Sequence, residues 1–238
     1  MKRFWRGAAA EQADGMWRIL LDGKPMRLPD GANLVLDREA LAAAVAYEWD
    51  FAGGDVGGEM SWHDVPLTRL AGSAAVLAQE RGNVVAAMLR YADADCLCYR
   101  AEHPPALAAA QEASWQPWLD WAESKYGARL LPVTGIAAVH QPPEALAELE
   151  KVVARLDEWQ LAGLAVFVPA YGSLILGLAV TDCAIGAQEA HRVSIVDELF
   201  QEEKWGTEGE TAARRALIEA EVAQAERFIR IASTRDRR

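Results

Sequence analysis

Apolar positions change their period along this chain. In the first thirty-odd residues they come in short runs separated by turn signals. Met16 to Leu21 is apolar-rich, Asp22-Gly23 is a tight-turn pair, and Lys24 to Leu28 alternates. Pro29-Asp30-Gly31 turns the chain again, and Asn33 to Leu36 makes a third short run. Side chains two apart share one face of a strand, so this pattern predicts a small antiparallel meander. Asp37 is placed to N-cap a helix through Arg38 to Trp49, with Glu39 in its first turn. The stretch from Ala52 to Gly58, with four glycines, is expected to be a flexible loop.

From about Pro66 the apolar spacing becomes helical. Ala-rich segments recur over Leu67–Gln79, Gly82–Tyr91, Pro105–Tyr126 and Glu144–Glu158. Gln188–Lys204 reads as one helix and Glu210–Ile231 as the last, where Ile218, Val222, Ala225 and Ile229 share a face. No internal repeat interrupts the series. The expected fold class is α+β: a small β-meander-plus-helix domain over residues 1–65, then a multihelical domain over 66–238.

One apolar run tests that reading. Leu161 to Val180 is twenty residues without a charge, long enough to span a bilayer. Pro169 interrupts it, and its flanks carry Asp157, Glu158 and Asp182 instead of Lys or Arg. Two short buried helices meeting at Val168-Pro169-Ala170 explain the same residues without membrane insertion.

Composition narrows the partners. With 52% hydrophobic and 25% charged residues among 238, the chain can bury a real core. A formal net charge of −11 repels phosphate backbones and anionic lipid, so nucleic acid is not expected to bind. A partner with basic groups suits it better. Nine tryptophans fill cores or interfaces alike. Three cysteines make no disulfide framework. Met1-Lys2-Arg3-Phe4-Trp5-Arg6 lacks the apolar run of a secretory signal, and no Arg- and Ser-rich leader follows, so a reducing compartment is expected.

Catalytic signatures fail one by one. The four histidines, His63, His103, His140 and His191, form no ligand-spaced pair, and His191 with Glu198 alone would make a weak metal site. Cys96-Leu97-Cys98 has the wrong spacing for a redox or zinc motif. Gly53-Gly54-Asp55-Val56-Gly57-Gly58 lacks the Lys-Ser/Thr of a phosphate loop and puts a carboxylate where a phosphate would sit. Tyr171-Gly172-Ser173-Leu174 lacks the second glycine of a nucleophile elbow. Neither a catalytic residue nor a metal site is expected.

Asp197 to Gly206 stands apart. Its carboxylates alternate with Phe200 and Trp205 before a helix-ending glycine, and Glu198 and Glu202 fall one turn apart on one face. Leu199 is expected to join Val196 and Phe200 nearer the core. Such a row is either a solvated face or a seat for basic and apolar groups of a partner.

An ordered set of short motifs carries a family resemblance. Arg3-Phe4-Trp5, Ile19-Leu20-Leu21-Asp22-Gly23-Lys24-Pro25, Glu48-Trp49-Asp50 and Pro66-Leu67-Thr68-Arg69-Leu70 come first. Leu89-Arg90-Tyr91-Ala92-Asp93, Cys98-Tyr99-Arg100, Trp115, Leu119-Asp120-Trp121 and Tyr126-Gly127-Ala128-Arg129-Leu130 follow. Gly172-Ser173-Leu174, Asp197-Glu198, Phe200-Gln201 and Lys204-Trp205-Gly206 complete it. The chain resembles the assembly factors that chaperone the alpha subunit of F(1), the catalytic sector of ATP synthase. The resemblance implies a protein that binds the unassembled alpha subunit until a beta subunit replaces it, with no cofactor and no turnover. It implies a bacterial cytoplasm for this member and the mitochondrial matrix for eukaryotic relatives. Leu199 and Val65 depart from the family, which often has an acid and a methionine there. Carried over by position, the partner-binding candidates are Asp197, Glu198, Gln201, Trp205, Trp49 and Asp50. The competing reading is a small-molecule enzyme with an acidic inter-domain site built from Glu198, His191 or Asp93.

Overall fold

A computed structural model describes residues 1–135, 137, 140–206 and 209–234. The chain divides into two compact units, one of residues 1–79 with 227–238 and one of residues 80–226.

In the first unit β1 (Ala8–Ala13) and β2 (Met16–Leu21) form an antiparallel hairpin, with β3 (Lys24–Pro25) and β4 (Val35–Leu36) both pairing with β2 on its other side. The strand β1 was not expected, because three of its first four positions are small, β-indifferent alanines. Its turn explains it: Asp14 (φ 55°) and Gly15 (φ 78°) both adopt positive φ, the two-residue geometry that matches strand twist. Asp22-Gly23 repeats that geometry at the turn read from sequence, with φ 48° and 79°. The predicted strand 24–28 shortens to two residues plus a bridge between Arg27 and Asn33.

Helix α1 (Glu39–Phe51) packs on the sheet through Leu41, Ala42, Val45 and Trp49, over Ile19, Leu21 and Leu36. Its N-cap position is Arg38, with no side-chain cap, and not Asp37 as expected. The glycine stretch after α1 is not a loose loop. Arg3 clamps it, donating from its guanidinium to the carbonyls of Asp50 and Gly54 at 2.7 and 2.6 Å, while Gly57 and Gly58 pair with the Arg3 backbone. Gly58 is obligatory, since a Cβ there would lie 1.9 Å from the Gly53 carbonyl oxygen. A 3₁₀ turn at Trp62–Asp64 leads into α2 (Pro66–Gln79).

The second unit is helical: α3 (Arg81–Asp93), α4 (Pro105–Tyr126), α5 (Pro143–Arg155), α6 (Glu158–Tyr171), α7 (Leu174–Thr181), α8 (Ala187–Ser194) and α9 (Val196–Trp205). Helix α10 (Gly209–Ala232) carries the chain onward into the first unit. Two short parallel strands, β5 (Tyr99–Arg100) and β6 (Val133–Thr134), are the further strands among the described residues. The expected α+β architecture, a small antiparallel sheet followed by helices, is present.

The apolar run became α6 and α7. All eight residues of α7 are buried, and among the described residues no helix is long and apolar enough to cross a membrane. The break falls at Gly172-Ser173, not at Pro169, which α6 carries in its last turn. Gly172 takes the left-handed cap conformation, φ 63°, and the Ser173 hydroxyl accepts the Leu176 N–H. The buried Asp95 finishes that cap, accepting from Ser173 Oγ at 3.0 Å and from the Ile175 N–H at 3.2 Å. Gly177 lets α7 approach α6, because a Cβ would meet Val168 Cγ2 at 2.8 Å.

The single helix expected over 188–204 is two. At Ile195 (φ −106°, ψ 24°) the chain leaves helical geometry between α8 and α9. Three β-branched residues, Val193, Ile195 and Val196, lower helix propensity there, and burial of the Ile195 side chain fixes the bend. In α10 the predicted stripe holds: Val222, Ala225 and Ile229 are buried and Ile218 half-buried.

Candidate functional site

The bend at Ile195 turns α9 so that its acidic face meets the first turns of α10. Between them lies an open cleft of ≈ 290 Å³ lined by Glu198, Gln201, Glu202, Trp205 and, from α10, Thr211 and Arg214. The sequence-predicted Glu198, Gln201 and Trp205 therefore share one surface, as their helical spacing demands. Trp205 is 77% exposed, an unusual position for so large an apolar side chain. No residue of α9 is fully buried, so the expected inward face of Val196, Leu199 and Phe200 is half-buried. Asp197 turns to its own backbone, accepting the Glu198 N–H at 2.9 Å.

Electrostatically the cleft is graded. Arg215 grips Glu202 with two guanidinium nitrogens at 2.6 and 2.9 Å, a bidentate pair in which both side chains are largely covered. The bond that Arg215 donates to Glu202 pushes the Arg215 pKa further up. Glu198 is held more loosely, 3.5 Å from Arg215 and 3.7 Å from the exposed Arg214. Glu202 thus fixes the two helices, while Glu198 keeps a carboxylate that an incoming cation can reach. Arg214 and Arg215 were not among the sequence candidates. Their one signal was a basic pair in the second turn of the following helix, opposite an acidic row.

The other candidates belong to a different structure. Trp49 is 1% exposed and offers no surface to a partner. Its indole N–H donates to Thr68 Oγ1 at 2.8 Å, its carbonyl accepts the Trp5 indole N–H at 2.8 Å, and its ring lies 5.0 and 6.1 Å from Trp5 and Trp62. Asp50 is exposed and accepts the Ala8 N–H at 3.1 Å. Glu48, which was not singled out, is buried and caps α2 through the Leu67 and Thr68 N–H groups at 2.7 and 3.1 Å. Burial raises its pKa, and those same bonds oppose the rise. Glu48-Trp49-Asp50 is a clasp joining α1 to α2, to the N-terminal segment and to β1.

Residues of the enzymatic reading do not converge on the cleft, whose lining includes neither His191 nor Asp93. His191 is buried beside Tyr171, with Nδ1 3.8 Å from Glu219, and burial lowers its pKa. Asp93 ties down residues 140–141 through His140 Nδ1 and the Gln141 N–H, both at 2.8 Å. Cys98 is buried and its thiol is pushed up to about 12, while burial also raises Cys96, so both sulfurs stay protonated. Among the described residues no three His, Cys, Asp or Glu side chains gather as metal ligands.

Residues 2–123 match the sequence profile of the family described as ATP12 chaperone protein. The crystal structure of the ATP12 protein of Paracoccus denitrificans superposes with a TM-score of 0.91 at 39% identity, covering 97% of this chain and 98% of that one. The chain belongs to the ATP12 chaperone family. A protein of Agrobacterium tumefaciens matches with a TM-score of 0.88 at 33% identity, covering 96% of this chain and 84% of that one. The mitochondrial protein atp12 of Schizosaccharomyces pombe is 25% identical over 218 residues, 87% of this chain and 74% of its own length. The ATP12 profile ends before α9. Structural likeness to the Paracoccus ATP12 protein runs on through nearly the whole chain, leaving too few unmatched residues to omit that helix.

Proposed function

We propose that this ATP12-family protein binds the unassembled alpha subunit of the F(1) sector of ATP synthase and keeps it from aggregating until a beta subunit takes its place. The observation that carries the reading is the likeness, over nearly the full length and at 39% identity, to the ATP12 protein of Paracoccus denitrificans. The cleft between α9 and α10 suits such a task, with an approachable Glu198 and an exposed indole at Trp205 side by side. Basic side chains of the client would meet Glu198 and Gln201, and apolar ones Trp205. Asp197 and Asp50 also belong to the proposed contact set. Trp49, which is buried, serves by holding the fold of the first unit together. The reading assigns the chain no cofactor and no turnover, and places it in a bacterial cytoplasm, with eukaryotic relatives in the mitochondrial matrix.

Light scattering by purified alpha subunit, with and without an equimolar amount of this protein, tests it. Suppressed scattering and a complex on gel filtration are expected. Undiminished aggregation of the alpha subunit would remove the reading.

A further inference from the structure

The first unit carries a second surface that the cleft does not explain. In β1 the hydrogen-bonding direction can be assigned residue by residue. The Asp22 N–H donates to the Gly7 carbonyl at 3.0 Å, so the pair 7–22 exchanges bonds across the hairpin. Antiparallel pairs alternate between bonded and non-bonded, and Ala8↔Leu21, Ala10↔Ile19 and Gln12↔Trp17 are the non-bonded ones. The two-residue turn at Asp14-Gly15 agrees, since it closes on a bonded pair at Ala13 and Met16. The backbone groups of Ala8, Ala10 and Gln12 therefore point away from β2, along the outer edge of the sheet.

Among the described residues no strand pairs with that edge. Its first N–H, that of Ala8, is taken by Asp50. The N–H and C=O groups of Ala10 and Gln12 remain. Proteins usually blunt such an edge with proline, lysine or a bulge, and β1 has none of them. Asp50 belongs to α1, whose exposed side next to it holds Tyr47 and Phe51. These rings are 62% and 63% exposed and 4.7 Å apart. The helix that holds the first N–H of the open edge thus also carries an exposed aromatic pair.

We propose that the outer edge of β1 takes up an extended segment of the client as an added antiparallel strand, Tyr47 and Phe51 covering its apolar side chains. The identity of that client rests on the function proposed above. Charge selects an acid-poor segment: Glu11 and Asp14 sit on or beside the strand, on a chain of net charge −11. A second copy of this chain fits badly. Antiparallel self-pairing of Ala10 with Ala10 needs the Ala8 N–H that Asp50 occupies. The register that avoids Ala8, Ala10 with Gln12, sets Glu11 directly against Glu11 of the other copy. Strand addition also suits an incompletely assembled subunit, because backbone bonds supply affinity without demanding a finished side-chain surface.

Amide hydrogen exchange on the intact chain, alone and with purified alpha subunit, tests this directly. The outward amides of Ala10 and Gln12 are expected to exchange fast in the free protein and to slow at least tenfold with client bound. Gln12→Pro removes one outward N–H and no bond to β2, and should weaken client binding by about tenfold, whereas Gln12→Ala should not. Client bound with the two amides still exchanging fast would overturn the edge proposal and leave the chaperone function standing. No binding of alpha subunit by the wild type would remove both. Protection that appears without client and grows with protein concentration would assign the edge to self-association and overturn the proposal. If Gln12→Pro fails to fold, the wild-type exchange pattern decides.

Discussion

Glu48 and Glu198 are the same residue type on two helices, and they do opposite work. Glu48 lies inside the first unit, where its oxygens take the N–H groups of Leu67 and Thr68 that begin α2. Those donors have no water to turn to, so the carboxylate is part of the fold. Glu198 lies at the surface of the second unit, facing two guanidinium groups at 3.5 and 3.7 Å. Such a pair contributes little to stability, and for that reason its carboxylate is free to change partners. What a charge faces, buried backbone or guanidinium groups at the surface, separates a folding residue from one that the proposed function assigns to recognition.

Five substitutions sharpen that contrast. Trp49→Arg should have the largest effect, losing the indole bond to Thr68 and placing a charge among Trp5 and Trp62. A loss of about 4 kcal/mol or more, or failure to accumulate as soluble protein, is expected in urea unfolding. Glu48→Ala should follow, at roughly 2–4 kcal/mol, because two buried donors lose their acceptor; Glu48→Gln should be milder, since one oxygen remains.

Asp95 is the counterpart of Glu48 in the second unit, and its effect depends on pH. Burial raises its pKa from 3.8 to about 6. With the folded pKa above the unfolded one, the stability linked to its proton is full below about pH 4 and is lost as pH rises through about 6. The margin of wild type over Asp95→Asn, measured as unfolding free energy from pH 4 to 7, should therefore shrink by up to about 3 kcal/mol. A flat difference would mean that the carboxylate titrates normally. Smallest in stability is Glu198→Ala, expected within about 1 kcal/mol of wild type by the same measurement. A loss as large as that of Glu48→Ala would break the contrast.

How far the sequence displayed all this depends on whether partners are near in the chain. Pro105–Tyr126 was readable to the residue, because proline opens that helix and Gly127 closes it. Glu198 and Glu202 were readable as one face because they lie one turn apart on one helix. The bend at Ile195 was not, since it has neither glycine nor proline and depends on burying one side chain. Break position within 161–180 was misjudged because Pro169 is tolerated near a helix end, while Ser173 answers to Asp95, 78 residues away. Strand β1 was hidden by its alanines, and the role of Glu48 by a partner 19 residues distant. Arg214 and Arg215 joined the site from another helix, which no spacing on α9 could announce.

The most direct measurement is the aggregation of purified alpha subunit followed in the presence of wild type, Glu48→Gln and Glu198→Lys, each first shown to be folded. Wild type and folded Glu48→Gln should suppress aggregation at equimolar ratio, and Glu198→Lys should not. Equal protection by all three proteins would contradict a client contact at the α9–α10 cleft.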